Sequence, residues 1–188
     1  SKASKGKYGK DKASTFKNVA SNSIGSSSRS TSFELQQTIR LVQSVQAEID
    51  ALDAQIKVVM QEINSPIMSI PGISFTLGAI ILAEIGSVER FSNPAKLLAF
   101  AGMEPSTYQS GKFNASNTPM VKRGSTYLRW AILQAVRLVA MRDTTFKNYL
   151  LHKQEQGKHY VALSHGGKKL IRLIHSLLKN DSCYIPQY

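Results

Sequence analysis

A single cysteine, Cys183, rules out an internal disulfide and suits a reducing cytoplasm. Acidic residues are scarce: 12 Asp and Glu stand against 24 Lys and Arg, giving a formal net charge of +12. Such an excess favours a polyanionic partner, with nucleic acid ahead of an anionic membrane. No apolar run approaches the roughly 18 residues of a membrane span. The lysine-rich N-terminus also lacks the apolar core of a secretory leader. A cytoplasmic protein with no membrane partner is therefore expected. The histidines (His152, His159, His165 and His175) lack cysteine partners, and no metal site or cofactor is expected among these residues. Nothing alternates for long with the period of a strand and no internal repeat stands out, which leaves an all-α fold.

The chain has 188 residues, enough for one good core or one domain with an appendage. Residues 1–33 are rich in Ser, Lys and Gly and cannot bury enough apolar surface to offset the entropy of ordering. They read as a flexible basic linker or tail, and equally as an arm that touches nucleic-acid phosphates. Residues 34–64 carry a heptad: Leu35, Val42, Ile49, Ile56 and Ile63 at a, with Val45, Leu52 and Val59 at d. Thr38 is the polar exception at d. This pattern predicts a coiled-coil helix about 45 Å long. Its seam needs a partner, either a second copy of the chain or a helix from outside these residues, and a homo-oligomer is the expectation.

Residues 67–181 read as a compact multi-helix domain, and 182–188 as a tail. The turn Ile70-Pro71-Gly72-Ile73-Ser74 before the apolar helix 75–85 looks like half of a helix-hairpin-helix element, in which hairpin amides and a helix N-terminus receive a phosphate. Gly72 and Ser74 would take that role, although the usual second glycine is Ser74 here; the turn also reads as a plain connector. Asn93-Pro94 predicts a helix start, and Gly102 its left-handed stop. Ser125 should cap a helix over 126–141 with Leu128, Ile132, Ala135, Leu138 and Val139 inward. Asp143 should cap the next helix, and Gly166-Gly167 should kink or break the last one.

Between Gly102 and Lys122 runs a long polar loop containing Ser110-Gly111-Lys112. Loops of this length inside a compact domain are often functional. Ser-Gly is an ordinary turn pair; it is also a hydroxyl beside a residue that lets the backbone approach a phosphate closely. A serine attacking a phosphodiester needs deprotonation, a positive surround and a stabilised leaving oxygen. Lys112, Lys122, Arg123 and Arg129 are the candidate cations. Glu104 and Tyr108 lie near in sequence, but neither has an evident partner as a base.

The order IPGI at 70–73, AEIG at 83–86, FSNPAKLLAFAGMEP at 91–105, QSGK at 109–112 and KRGSTYLRWAILQA at 122–135 resembles the C-terminal transposase domain of the DEDD insertion-sequence transposases. That family includes the Piv-like DNA invertases and the bridge-RNA-guided recombinases. The resemblance covers roughly residues 68–180. It implies that Ser110 is a nucleophile for strand cleavage and exchange on DNA, with a structured guide RNA as a further partner. It also implies an N-terminal RuvC-like domain whose four acidic residues hold magnesium. No such carboxylate set is found here, and there is no initiating methionine, so the expectation is a piece of a longer recombinase that is inactive alone. Two other readings stand beside it. One is a non-catalytic helical nucleic-acid-binding module; the other is a coiled-coil oligomerisation domain whose charge is incidental.

Overall fold

A computed structural model describes residues 9–25, 28–105, 109–110, 113–114, 120–157 and 159–186, with the backbone alone at 109–110 and 113–114. Within these residues the protein is all-α apart from one short β-ladder. The chain divides into two units, Ser1–Ile49 and Asp50–Tyr188.

In the first unit, helix α1 (Lys10–Ser21) occupies part of the stretch expected to be a linker, and none of its residues is buried. Its larger apolar side chains, Phe16 and Val19, are exposed. Helix α2 (Arg29–Ile63) is unbroken and starts upstream of the expected Glu34. The reason is local: the Ser28 hydroxyl accepts the Thr31 amide at 3.1 Å and so caps the first turn. The heptad residues Val42, Val45 and Ile49 are exposed on this chain, as are Leu52, Val59 and Ile63 further along α2, while Ile56 is half-buried. Asn64, in a left-handed conformation (φ 46°), ends the helix before Pro66.

The second unit is held by five helices: α3 (Phe75–Ile85), α4 (Pro94–Phe100), α5 (Thr126–Arg142), α6 (Thr144–Glu155) and α7 (His159–Asn180). Each of α3 to α6 begins where a short polar side chain accepts a first-turn amide. Ser74 receives Leu77 N–H, Asn93 receives Lys96, Ser125 receives Leu128 and Asp143 receives Phe146. Helix α5 packs against α3, α6 and α7, and α7 also meets α4. Ile81, Leu97, Leu128, Ile132, Leu170 and Ile174 are at most 1% exposed; each such side chain contributes about 1.5–3 kcal/mol of transfer free energy.

Three expectations are corrected here. Helix α7 runs straight through Gly166-Gly167 with no break. A Cβ on Gly166 would lie 2.7 Å from Val136 and 2.8 Å from Leu150, and one on Gly167 would lie 2.3 Å from the Met103 methyl. The pair lets α7 approach its neighbours closely, and packing outweighs the weak helix propensity of glycine. On α5, Leu138 is 38% exposed, while Ala131 and Val136 are fully buried. Positions 128, 131, 132, 135, 136 and 139 form the inward stripe because α5 is covered on several sides. Finally, Tyr184 in the expected tail is tied to the core: its hydroxyl donates to Asp143 Oδ2 at 2.8 Å, and its amide donates to Ser69 Oγ at 2.7 Å.

Candidate nucleic-acid and serine site

Ser110 lies in β1 (Gln109–Ser110), which pairs antiparallel with β2 (Phe113–Asn114), Ser110 opposite Phe113. The sequence contained no alternating signal for this ladder. Gly111 and Lys112, both predicted to serve the site, lie outside the described residues, as do Ser106 and Tyr108.

The root of the loop lies among the described residues. Gly102 follows α4 at φ 63°, its amide donating to Ala99 O at 2.8 Å. The chain then leaves and returns as two antiparallel stalks. Pro105 pairs with Met120 in an isolated bridge. Val121 N–H donates to Glu104 O at 3.0 Å, Lys122 N–H to Gly102 O at 3.1 Å and Ser125 N–H to Phe100 O at 2.8 Å. The stalks approach so closely that side chains are excluded at two points. A Cβ on Gly102 would sit 2.3 Å from Arg123 O, and one on Gly124 would sit 2.2 Å from Phe100 O. Gly124 has φ 117°, and Lys122, which is not glycine, is held at φ 54°; a non-glycine residue in that region costs about 1–3 kcal/mol.

Of the predicted cations, Lys122 and Arg123 are exposed at this root and Arg129 is half-buried beneath it. Arg129 Nη1 donates to Ala101 O at 3.1 Å and to Lys122 O at 3.2 Å, and Nη2 donates to Thr126 Oγ1 at 3.3 Å. Its guanidinium therefore ties the end of α4, the returning stalk and the start of α5 together. One further residue belongs to this junction. Ser125 Oγ, while capping α5, donates to Glu84 Oε2 at 2.6 Å. That carboxylate, brought from α3, sits at the positive end of the α5 dipole. Its signal in the sequence was present: Glu84 is the one charged residue in the otherwise apolar α3.

Gly72 and Ser74 belong to the turn that leads into α3. Gly72 (φ 99°) packs against the backbone of α5, where a Cβ would lie 2.5 Å from Leu138 O. Ser74 caps α3, and the element before the turn is a short 3-10 helix, Pro66–Ser69. Among the described residues no three His, Cys, Asp or Glu side chains converge as a metal site would require. Among them, too, no helix is long and apolar enough to cross a membrane.

Residues 64–151, which contain the α3 turn, the whole serine loop and α5, match the transposase IS116/IS110/IS902 family. That segment carries family-level homology to the IS110/IS116 transposases. The chain is 26% identical over 157 residues to the insertion element IS116 uncharacterized 44.8 kDa protein of Streptomyces clavuligerus, a match covering 78% of this chain and 39% of that protein. It is 25% identical over 138 residues to the insertion element IS110 uncharacterized 43.6 kDa protein of Streptomyces coelicolor, covering 71% of this chain and 34% of that protein. The chain thus spans between a third and two-fifths of the length of these relatives. The Arg129 and Ser125–Glu84 ties both fall inside its matched segment.

Proposed function

We propose that this chain is the serine-bearing part of an insertion-sequence recombinase, in which Ser110 Oγ attacks a DNA phosphodiester. A phosphoserine bond forms, one bridging P–O bond breaks, and the released strand end leaves as a hydroxyl. The observation that carries the reading is the loop root. Two glycines, a lysine held in the left-handed region and the Arg129 clamp fix the ends of the loop that bears Ser110. Strain retained at a loop root in a region homologous to transposases supports a functional loop more than an idle connector. Lys122 and Arg123, exposed at that root, are proposed to meet phosphate, with Gly111 and Lys112 beside the serine in the chain.

Magnesium belongs in this reading to an RuvC-like domain outside these residues, where it would supply charge stabilisation; nothing in the present chain is assigned to it. DNA is the substrate, and a structured guide RNA is a second partner. Gly72 and Ser74 are proposed as a phosphate contact of the helix-hairpin-helix type. The exposed a and d residues of α2 support a coiled coil with a second copy, as does the open apolar groove of about 490 Å³ lined by Leu52, Ile56, Val59 and Ile63 of α2 with Leu82 and Ala83 of α3.

The test uses the full-length parent in a strand-exchange assay. Ser110→Ala is expected to abolish product, whereas Ser106→Ala, in the same loop but outside the Ser-Gly pair, is expected to retain it. Product from Ser110→Ala would remove the nucleophile assignment and leave a non-catalytic binding module.

A further inference from the structure

The sequence of α6, α7 and the turn between them is rich in cations. Between residues 144 and 180 the sequence holds Lys147, Lys153, Lys158, Lys168, Lys169, Arg172 and Lys179, against Glu155 as the one acidic residue. Glu155 lies 3.8 Å from His152, and Lys179 pairs with Glu89. On α7, positions 165, 168, 169 and 172 share one side of the helix by their spacing. Lys169 Nζ reaches back over α6, 5.0 Å from the Phe146 ring centre and 4.7 Å from that of Tyr149. Lys153 of α6 donates to the neutral amide oxygen of Gln156 at 2.8 Å. The Lys169 contact, with the packing of α6 on α7, sets this side of α7 against α6, and His165 there is held below its usual pKa by burial and then by the charges of Lys168 and Lys153. Lys153 and Lys168 are half-buried and Arg172 is exposed.

Cations brought together in this way repel one another in the free protein, and a phosphate backbone laid along them would relieve that repulsion while releasing counterions. An aromatic ring within the cluster, Tyr149, is a feature that backbone-tracking nucleic-acid surfaces share. We propose that the α6–α7 face, through Lys153, Lys168 and Arg172, is a second nucleic-acid contact that grips phosphodiester backbone independently of the serine loop. It shares with the function proposed above only the expectation that the chain meets nucleic acid.

The experiment is a salt titration of binding by the 188-residue chain, with a duplex DNA and an RNA hairpin as probes. The variants are Lys153→Ala/Lys168→Ala/Arg172→Ala and, for comparison, Lys122→Ala/Arg123→Ala. The α6–α7 variant is expected to bind more weakly, its slope of log K against log salt on duplex DNA falling by about 2–3 units. A change with DNA alone or with RNA alone identifies which strand the face holds. Wild-type affinity and slope on both probes would overturn the proposal; if the Lys122/Arg123 variant then still lost affinity, the loop reading would survive. No binding by the unaltered chain at low salt would overturn it as well. Thermal melting checks that the variants fold. If the triple variant does not, Arg172→Ala alone is expected to lower the slope by about one unit, and no change there overturns the proposal.

Discussion

Arg129, expected from the sequence as a phosphate contact, is engaged by the scaffold. The sequence marks it as a cation near the serine loop, yet its guanidinium bridges carbonyls at the ends of two stalks. Arg129→Ala would leave Ala101 O and Lys122 O without this partner and is expected to cost about 1–3 kcal/mol in denaturant unfolding. Arg129→Lys should recover little of that loss, since an ammonium lacks the planar fork. Unaltered stability with a reduced salt slope of DNA binding would show instead that Arg129 serves phosphate directly. Tyr184 carries a separate prediction. Burial, the hydrogen bond to Asp143 and the nearby carboxylate charge push its phenol up to about 12 from 10. The folded state thus holds the proton more tightly than the unfolded state. This contribution to stability is complete below about pH 10 and is lost as pH rises toward 12. Unfolding measured across that window should show the decline in the wild type and less of it in Tyr184→Phe. An identical decline in both would show that Tyr184 is not its source.

At the scale of elements, what the sequence made legible is what is local. The caps at Asn93, Ser125 and Asp143 each bond an amide three residues on, so their signal needs no knowledge of the fold; Ser74, read as a hairpin residue, caps α3 in the same way. The Ser125–Glu84 and Tyr184–Asp143 bonds join residues 41 positions apart: a lone carboxylate in α3 marks Glu84 without naming its partner, and nothing local announces the bond to Tyr184. Gly166-Gly167 misleads because propensity and packing point in opposite directions. Propensity alone says that Gly166→Ala stabilises α7 by about 1 kcal/mol. Packing says that the new methyl strikes Val136 and Leu150, both buried, and overpacking costs about 1–3 kcal/mol. Net destabilisation is expected, and a raised melting temperature would mean that α7 has room to shift. At the loop root the conflict is sharper. Gly124→Ala combines a left-handed φ with a collision against backbone oxygen, and the expected loss is roughly 2–5 kcal/mol. Melting like the wild type would show that the two stalks are not so tightly held.

For the whole molecule, the net charge of +12 and the apolar α2 stripe were both plain in the sequence, since composition and heptads need no tertiary context. The occupant of the stripe was not, because a seam records only that something covers it. In the proposed homo-oligomer, Val42→Asp/Ile49→Asp should lower the mass measured by analytical ultracentrifugation to that of one chain. An unchanged larger mass would place the contact elsewhere, and a single-chain mass for the unaltered protein would remove the homo-oligomer. The serine loop was legible as a candidate site through its length, its Ser-Gly pair and the order of motifs, while the Arg129 contacts and the close approach of the stalks emerged from the fold. Ser110 is the point at which these lines meet. The most direct measurement is to trap the full-length parent on DNA, denature it, digest the DNA, and locate the residual nucleotide by peptide mass spectrometry. A nucleotide phosphodiester on Ser110 is predicted; a linkage on another residue, or strand exchange proceeding with no protein-bound DNA, would contradict the account.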